Sequence, residues 1–212
     1  MKTLISFLFA LAAFSFAQPA GAGSHQWRFS EFYSSPDKQI QFIEMQEIAS
    51  SSGEANIQNG WFATDTYNLD HSQTLGTSLP FGTADKTFLV GSESYAALPG
   101  VPAPDYILPD GILEPSGDTI LWWNYQTLTI PAETMPSDGT ASLHLVDPSN
   151  AGLGFITGPN SPKNFDGETG TVVLPTPLPT SSEWGTISSL AIIAVGTWAL
   201  GWRNRSSSPE RA

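Results

Sequence analysis

The chain has 212 residues, with 19 Gly, 17 Pro, no Cys and only 13% charged residues, a composition that disfavours long helices and favours short strands joined by turns. Without Cys there are no disulfides, thiolate metal sites or iron–sulfur clusters. The formal charge is −12, and between Gly23 and Glu183 nineteen Asp and Glu face four bases, too few to neutralise a phosphate backbone, so nucleic acid is excluded as a partner.

At the N-terminus, Lys2 precedes an apolar run from Leu4 to Phe16. One positive charge followed by a short apolar stretch has the layout of a secretory signal peptide. Small residues at Ala20-Gly21-Ala22 place cleavage after Ala22, with Ala17 as the alternative, so residues 1–22 are read as a signal helix and the exported part begins at 23.

The exported part alternates at the period of a strand over residues 27–33, turns at Ser34-Ser35-Pro36-Asp37-Lys38, and resumes as a strand over 39–48. A change of phase at Phe42-Ile43 predicts a β-bulge there. Further strands are expected at 60–66, 73–75, 87–90, 119–124, 127–130 and 142–146. The turn signals between them are Gly82, Pro109-Asp110-Gly111, Ser116-Gly117-Asp118 and Ser137-Asp138-Gly139. Residues 92–98 read as one helical turn and Val101-Pro102-Ala103-Pro104 as extended polyproline. About eight short strands separated by turns predict an all-β sandwich or barrel over 23–174.

Pro175, Pro177 and Pro179 make 175–183 a stiff linker. Residues 184–202 carry no charge, and 19 residues reach roughly 28 Å as a helix, enough to cross a bilayer. Trp184, Trp198 and Trp202 lie towards the ends, where indoles favour the interface. Arg203 and Arg205 follow, which predicts a cytoplasmic tail at 203–212 and a domain held outside by one transmembrane helix in the inner membrane.

The order Leu178-Pro179-Thr180, Ser182-Glu183-Trp184-Gly185, an apolar helix, then Arg203 and Arg205 resembles the IPTL-type C-terminal sorting signal of Gram-negative bacteria. That resemblance implies a transit cassette handled by an exosortase-like processing protease, with the domain retained on the membrane or released after the tail is cut.

A second resemblance covers 27–124. Arg28-Phe29-Ser30-Glu31-Phe32, Gln41-Phe42-Ile43-Glu44-Met45, Gly60-Trp61, Leu79-Pro80-Phe81-Gly82 with Thr87-Phe88-Leu89-Val90, and Leu113 through Gly117-Asp118-Thr119-Ile120 follow the order of lamin-tail-like domains. That family implies an immunoglobulin-like sandwich and no single activity.

Catalytic constellations are scarce. His25, His71 and His144 are far apart in the chain, and no Gly-x-Ser-x-Gly elbow is present. His144, alternating within Leu143-His144-Leu145, is expected to point to solvent. No metal site or cofactor is expected; the turn aspartates suit their turns. Glu31 and Glu44 fall on neighbouring strands of one hairpin, where they read either as a structural hydrogen-bond anchor or as a glycosidase-like pair. In Leu121-Trp122-Trp123-Asn124 successive side chains face opposite ways, so one Trp is expected in the core and the other exposed or covered by a loop or partner. Trp122, Trp123, Glu31 and Glu44 are therefore the expected binding surface. The functional expectation is a non-enzymatic, exported structural or binding module of the cell surface or matrix, its ligand unknown. The alternative is a carbohydrate-active or calcium-dependent carbohydrate-binding module.

Overall fold

β-Branched and aromatic residues at alternating positions carry most of the exported part into strands, and Gly- and Pro-bearing turns interrupt them before any strand exceeds eight residues. The computed structural model describes residues 23–65, 73–136 and 138–174, which belong to a unit closing at Leu174. The expected signal segment 1–22, linker 175–183, spanning helix 184–202, tail 203–212 and every sorting-motif residue lie outside the described residues. Among the described residues, no helix is long and apolar enough to cross a membrane.

In chain order the elements are β1 (Trp27–Ser34), β2 (Gln41–Glu47), β3 (Trp61–Thr64), β4 (Gln73–Thr74) and β5 (Thr87–Ser92). Then come the helical turn α1 (Glu93–Ala96), β6 (Tyr106–Leu108), β7 (Asp118–Trp122), β8 (Gln126–Ile130), β9 (Ala141–Leu145), a 3-10 turn (Ala151–Leu153) and β10 (Phe155–Pro159). The strands form a six-stranded sheet in the order β10-β9-β1-β2-β5-β6 and a four-stranded sheet in the order β4-β3-β7-β8. All pairs are antiparallel except β5 with β6. The two sheets share one core: Phe29, Phe32, Ile43, Met45, Phe88, Val90 and Leu143 from the larger sheet meet Phe62, Ile120, Trp122, Leu128 and Ile130 from the smaller. Phe88 and Trp122 touch across this core at 6.0 Å between ring centroids. The fold is an all-β sandwich.

The bulge lies in β1, not at Phe42-Ile43 in β2 as the phase change predicts. Register slips between Phe29 and Glu31, while β2 keeps strict alternation, with Ile43 and Met45 inward and Phe42 outward. The physical reason is the spacing of the two phenylalanines. Phe29 and Phe32 are three apart, and both enter the core only if one residue, Ser30, is looped out between them.

The outer face of the six-stranded sheet is also covered. Tyr33, Phe42, Leu89, Tyr95 and Val172 form a second apolar cluster, which draws on α1 and on the chain after β10. Ser92 caps α1 by accepting the Tyr95 N–H at 3.1 Å, which seats the buried Tyr95 ring over the sheet. The segment after β10, residues 160–174, lies across the same face as a strap.

Candidate functional site

Glu31 in β1 and Glu44 in β2 are direct cross-strand partners, and His144 in β9 is opposite Glu31 on its other side. The β1 bulge turns Glu31 to the same outer face as Glu44. The structure thus brings the two expected carboxylates together, but beneath the strap. Glu31 is 2% and Glu44 8% exposed.

Their oxygens are occupied. Glu31 Oε1 accepts from Ser142 Oγ at 2.6 Å and from the Ser161 N–H at 2.8 Å, and Oε2 accepts from Ser161 Oγ at 2.9 Å. Glu44 accepts from Ser30 Oγ at 2.9 Å and from the Lys163 N–H at 2.9 Å. A third carboxylate continues the series: Asp105 accepts the Phe165 N–H at 2.9 Å and the Leu89 N–H at 2.8 Å. The N–H groups of 161, 163 and 165 all point at the sheet, as alternation demands of an extended segment. Each meets a carboxylate where a neighbouring strand would offer a carbonyl. These three bonds satisfy backbone donors that would otherwise be costly to bury.

Burial of the charged form, reinforced by the adjacent Glu31 charge, pushes the Glu44 carboxyl up to about 7, and the donors from Ser30 and Lys163 only partly offset it. Asp105 is raised as well, by burial first, with its two backbone donors opposing.

A glycosidase pair needs room for a sugar, and in the inverting case for a water, between two carboxylates that face a cleft. Glu31 and Glu44 instead hold protein backbone with the oxygens that such chemistry would need. A serine triad also fails on geometry. Ser142 Oγ lies 2.9 Å from His144 Nε2, but it is fully buried and gives its proton to Glu31. His144 Nε2 is also 3.2 Å from the Pro159 carbonyl, and its Nδ1 is 3.7 Å from Glu31. His144 is half-buried by these contacts rather than directed wholly to solvent as its strand position predicts.

Asp110, Asp118 and Asp138 are engaged within the fold, the first two by residues outside their own turns. Asp110 accepts from the Ser94 N–H and Oγ, Asp118 from the Glu114 and Asp65 N–H groups, and Asp138 from the Thr140 and Ala141 N–H groups. Among the described residues no group of three or more acidic or histidine side chains is placed to hold a metal ion.

Of the four residues expected to form a binding surface, Glu31, Glu44 and Trp122 are buried and so present no solvent face. Trp122 sits in the core against Phe62 at 4.8 Å because its strand position points inward. Trp123, the next residue, lies beyond the end of β7 and is partly exposed, with its ring packed against the core cluster and 6.3 Å from the Trp122 ring, so strand alternation does not place it.

Trp123 starts the three-residue tip that joins β7 to β8, and its φ is +48°. A bulky residue in this left-handed region costs about 1–3 kcal/mol, and Asn or Gly is the ordinary occupant. The tip is nevertheless fixed. Trp123 N–H donates to the Trp61 carbonyl at 2.9 Å, Tyr125 N–H to the Trp122 carbonyl at 3.0 Å, and Gln126 Oε1 accepts the Phe29 N–H at 2.9 Å. The Trp123 and Tyr125 rings lie 5.3 Å apart, and Tyr125 lies 6.2 Å from the exposed His25 ring.

Neither the strap partners Ser142, Ser161, Lys163 and Asp105 nor the strained φ of Trp123 is foreseen from the sequence. The first depend on contacts between residues 60 to 130 apart in the chain, and the second on hairpin geometry that no motif announces. No protein-family model, curated protein or solved structure matches this chain significantly.

Proposed function

We propose that this chain is an exported, envelope-sorted and non-enzymatic β-sandwich protein, acting at the cell surface or in the extracellular matrix as a structural or binding module. The observation that carries the reading is the layout of the ends: a charged start and apolar run at 1–16, and a Pro-rich linker, a Pro-Thr and Ser-Glu-Trp-Gly motif, an uncharged 19-residue stretch and two arginines from 175 to 205. The sandwich between them supports it. Its buried carboxylates are taken up in holding the strap, which suits a load-bearing or presenting domain better than a catalyst. The lamin-tail-like, immunoglobulin-like arrangement and the exosortase-like processing of the tail belong to the same proposal.

The test is expression of the full chain in a Gram-negative host, followed by fractionation and mass spectrometry of both termini. The expected product is in the envelope or the medium and begins at Gly23 or Gln18. A cytosolic product that keeps Met1 and Ala212 overturns the reading.

The carbohydrate-binding alternative keeps support from one observation, the ring series at the β7–β8 tip. Its enzymatic and calcium-dependent forms do not, since Glu31, Glu44 and the turn aspartates are engaged elsewhere.

A further inference from the structure

The geometry of the β7–β8 tip points to a stacking site for the sugar rings of a neutral oligosaccharide, made by Trp123, Tyr125 and His25. This inference rests on the reading of the domain as a binding module and names its ligand class.

Three observations converge. First, Trp123 occupies a left-handed φ of +48° that a Trp adopts at a cost, directly before Asn124, a residue type that tolerates such a φ. Strain held in place by surrounding bonds is characteristic of functional positions. Second, the rings of Trp123, Tyr125 and His25 run in series at 5.3 and 6.2 Å, with Tyr125 39% exposed and His25 exposed beside it. The rings are tilted by 51° and 59° to one another, so they do not form one flat platform of the kind that a crystalline face would need. Third, the tip is pre-organised. The Gln126 side chain ties β8 to β1 in the other sheet, and the Trp123 N–H ties the tip to β3, so binding orders little that is not already ordered.

The ligand class follows from chemistry. Aromatic faces take up the C–H faces of sugar rings, and the exposed Asn124 amide, the His25 imidazole and the Tyr125 hydroxyl flank those faces with groups that bond sugar hydroxyls. The chain's charge of −12 disfavours anionic polysaccharides, and the tip residues Trp123, Asn124 and Tyr125 carry no carboxylate with which to bind cationic ones, so the neutral class fits the tip best.

The full chain in a zwitterionic detergent, chosen because glycosidic detergents would compete, is titrated with neutral hexasaccharides of β-1,4-glucose, β-1,4-N-acetylglucosamine and β-1,4-mannose, and with an anionic oligoguluronate. Tryptophan fluorescence reads binding. Saturable binding of at least one neutral hexasaccharide is expected. In Trp123→Gly, where glycine accepts the same φ without strain, affinity falls on the order of tenfold; the strain relieved is offset by the packing that Trp123 loses against the core, and a retained cooperative unfolding transition shows that the variant is folded. Tyr125→Ser, at an exposed position, gives a second and independent loss, and Tyr125→Phe keeps the ring and retains binding. Absence of saturable binding to all three neutral sugars overturns the proposal, as does undiminished affinity in both Trp123→Gly and Tyr125→Ser, or binding of the oligoguluronate alone. Failure here leaves the export reading untouched, because the purified chain is titrated whatever its address, and failure of export leaves the binding result intact.

Discussion

At Glu44, burial and the adjacent Glu31 charge raise the carboxyl from 4.5 to about 7 in the folded chain. The folded state therefore holds a proton that the unfolded chain has released, and the sign follows. Stability is fully present below about 4.5, falls as pH rises, and levels off above about 7, a loss of about 3 kcal/mol. Asp105, also raised by burial, adds in the same direction. The lowered carboxylates Asp37, Glu114, Asp138 and Asp147 act oppositely, but only under more acid conditions. Urea midpoints measured between pH 5 and 8 should thus decline towards pH 8, and in Glu44→Gln most of that decline should vanish. A midpoint that rises across this range would remove the argument. The sequence places Glu31 and Glu44 on one hairpin, and the observed register makes them direct partners. The hydrogen-bond anchor reading is also available from the sequence; what the sequence does not contain is the identity of the donors, because Ser161 and Lys163 arrive from 130 and 119 residues away.

Among elements, β3 illustrates how one small residue sets a sheet's position. Gly60 precedes β3, and a Cβ there would meet Trp122 Cη2 at 2.6 Å and the Ile57 carbonyl oxygen at 2.9 Å. Trp122 is fully buried and the oxygen is backbone, so neither yields cheaply. Gly60→Ala should cost about 1–3 kcal/mol through overpacking, read as a lowered denaturant midpoint; an unchanged midpoint would mean that the indole has room to move. The longer strands β1, β2, β5, β7, β8 and β9 were legible because alternation and turn residues mark them. β6 and β10 were not. β6 has three residues and gains its place only by parallel pairing with β5, and β10 contains Gly158 and Pro159, which locally argue for a loop. The tertiary ladder with β9 overrides that preference.

For the whole molecule, the strap decides whether the six-stranded sheet has one covered face or two. Without residues 160–174, Tyr33, Phe42, Leu89 and Tyr95 would lose part of their cover, and Glu31, Glu44 and Asp105 would lose the backbone donors of Ser161, Lys163 and Phe165. A chain ending at 159 should bind a hydrophobic dye and lose a cooperative unfolding transition, whereas one ending at 174 should keep it. Equal midpoints for the two would show that the strap is dispensable. The described chain leaves the sandwich through Val172 and Leu174, which pack on the outer apolar cluster, with the Val172 backbone bonded to the Asn160 side chain.

By itself the sequence determined the all-β class, the longer strands, the acidic character and the layout of the ends, since these follow from composition, period and charge, which are local properties. Strand alternation would turn Trp122 and Trp123 opposite ways, but β7 ends at Trp122 and both rings pack on the core cluster. Only the tertiary structure decided where the β1 bulge falls, that the strap closes over Glu31 and Glu44, and that Trp123 is held at a positive φ. Each of these depends on which distant segment supplies a core neighbour or a hydrogen-bond donor, and local pattern does not carry that information.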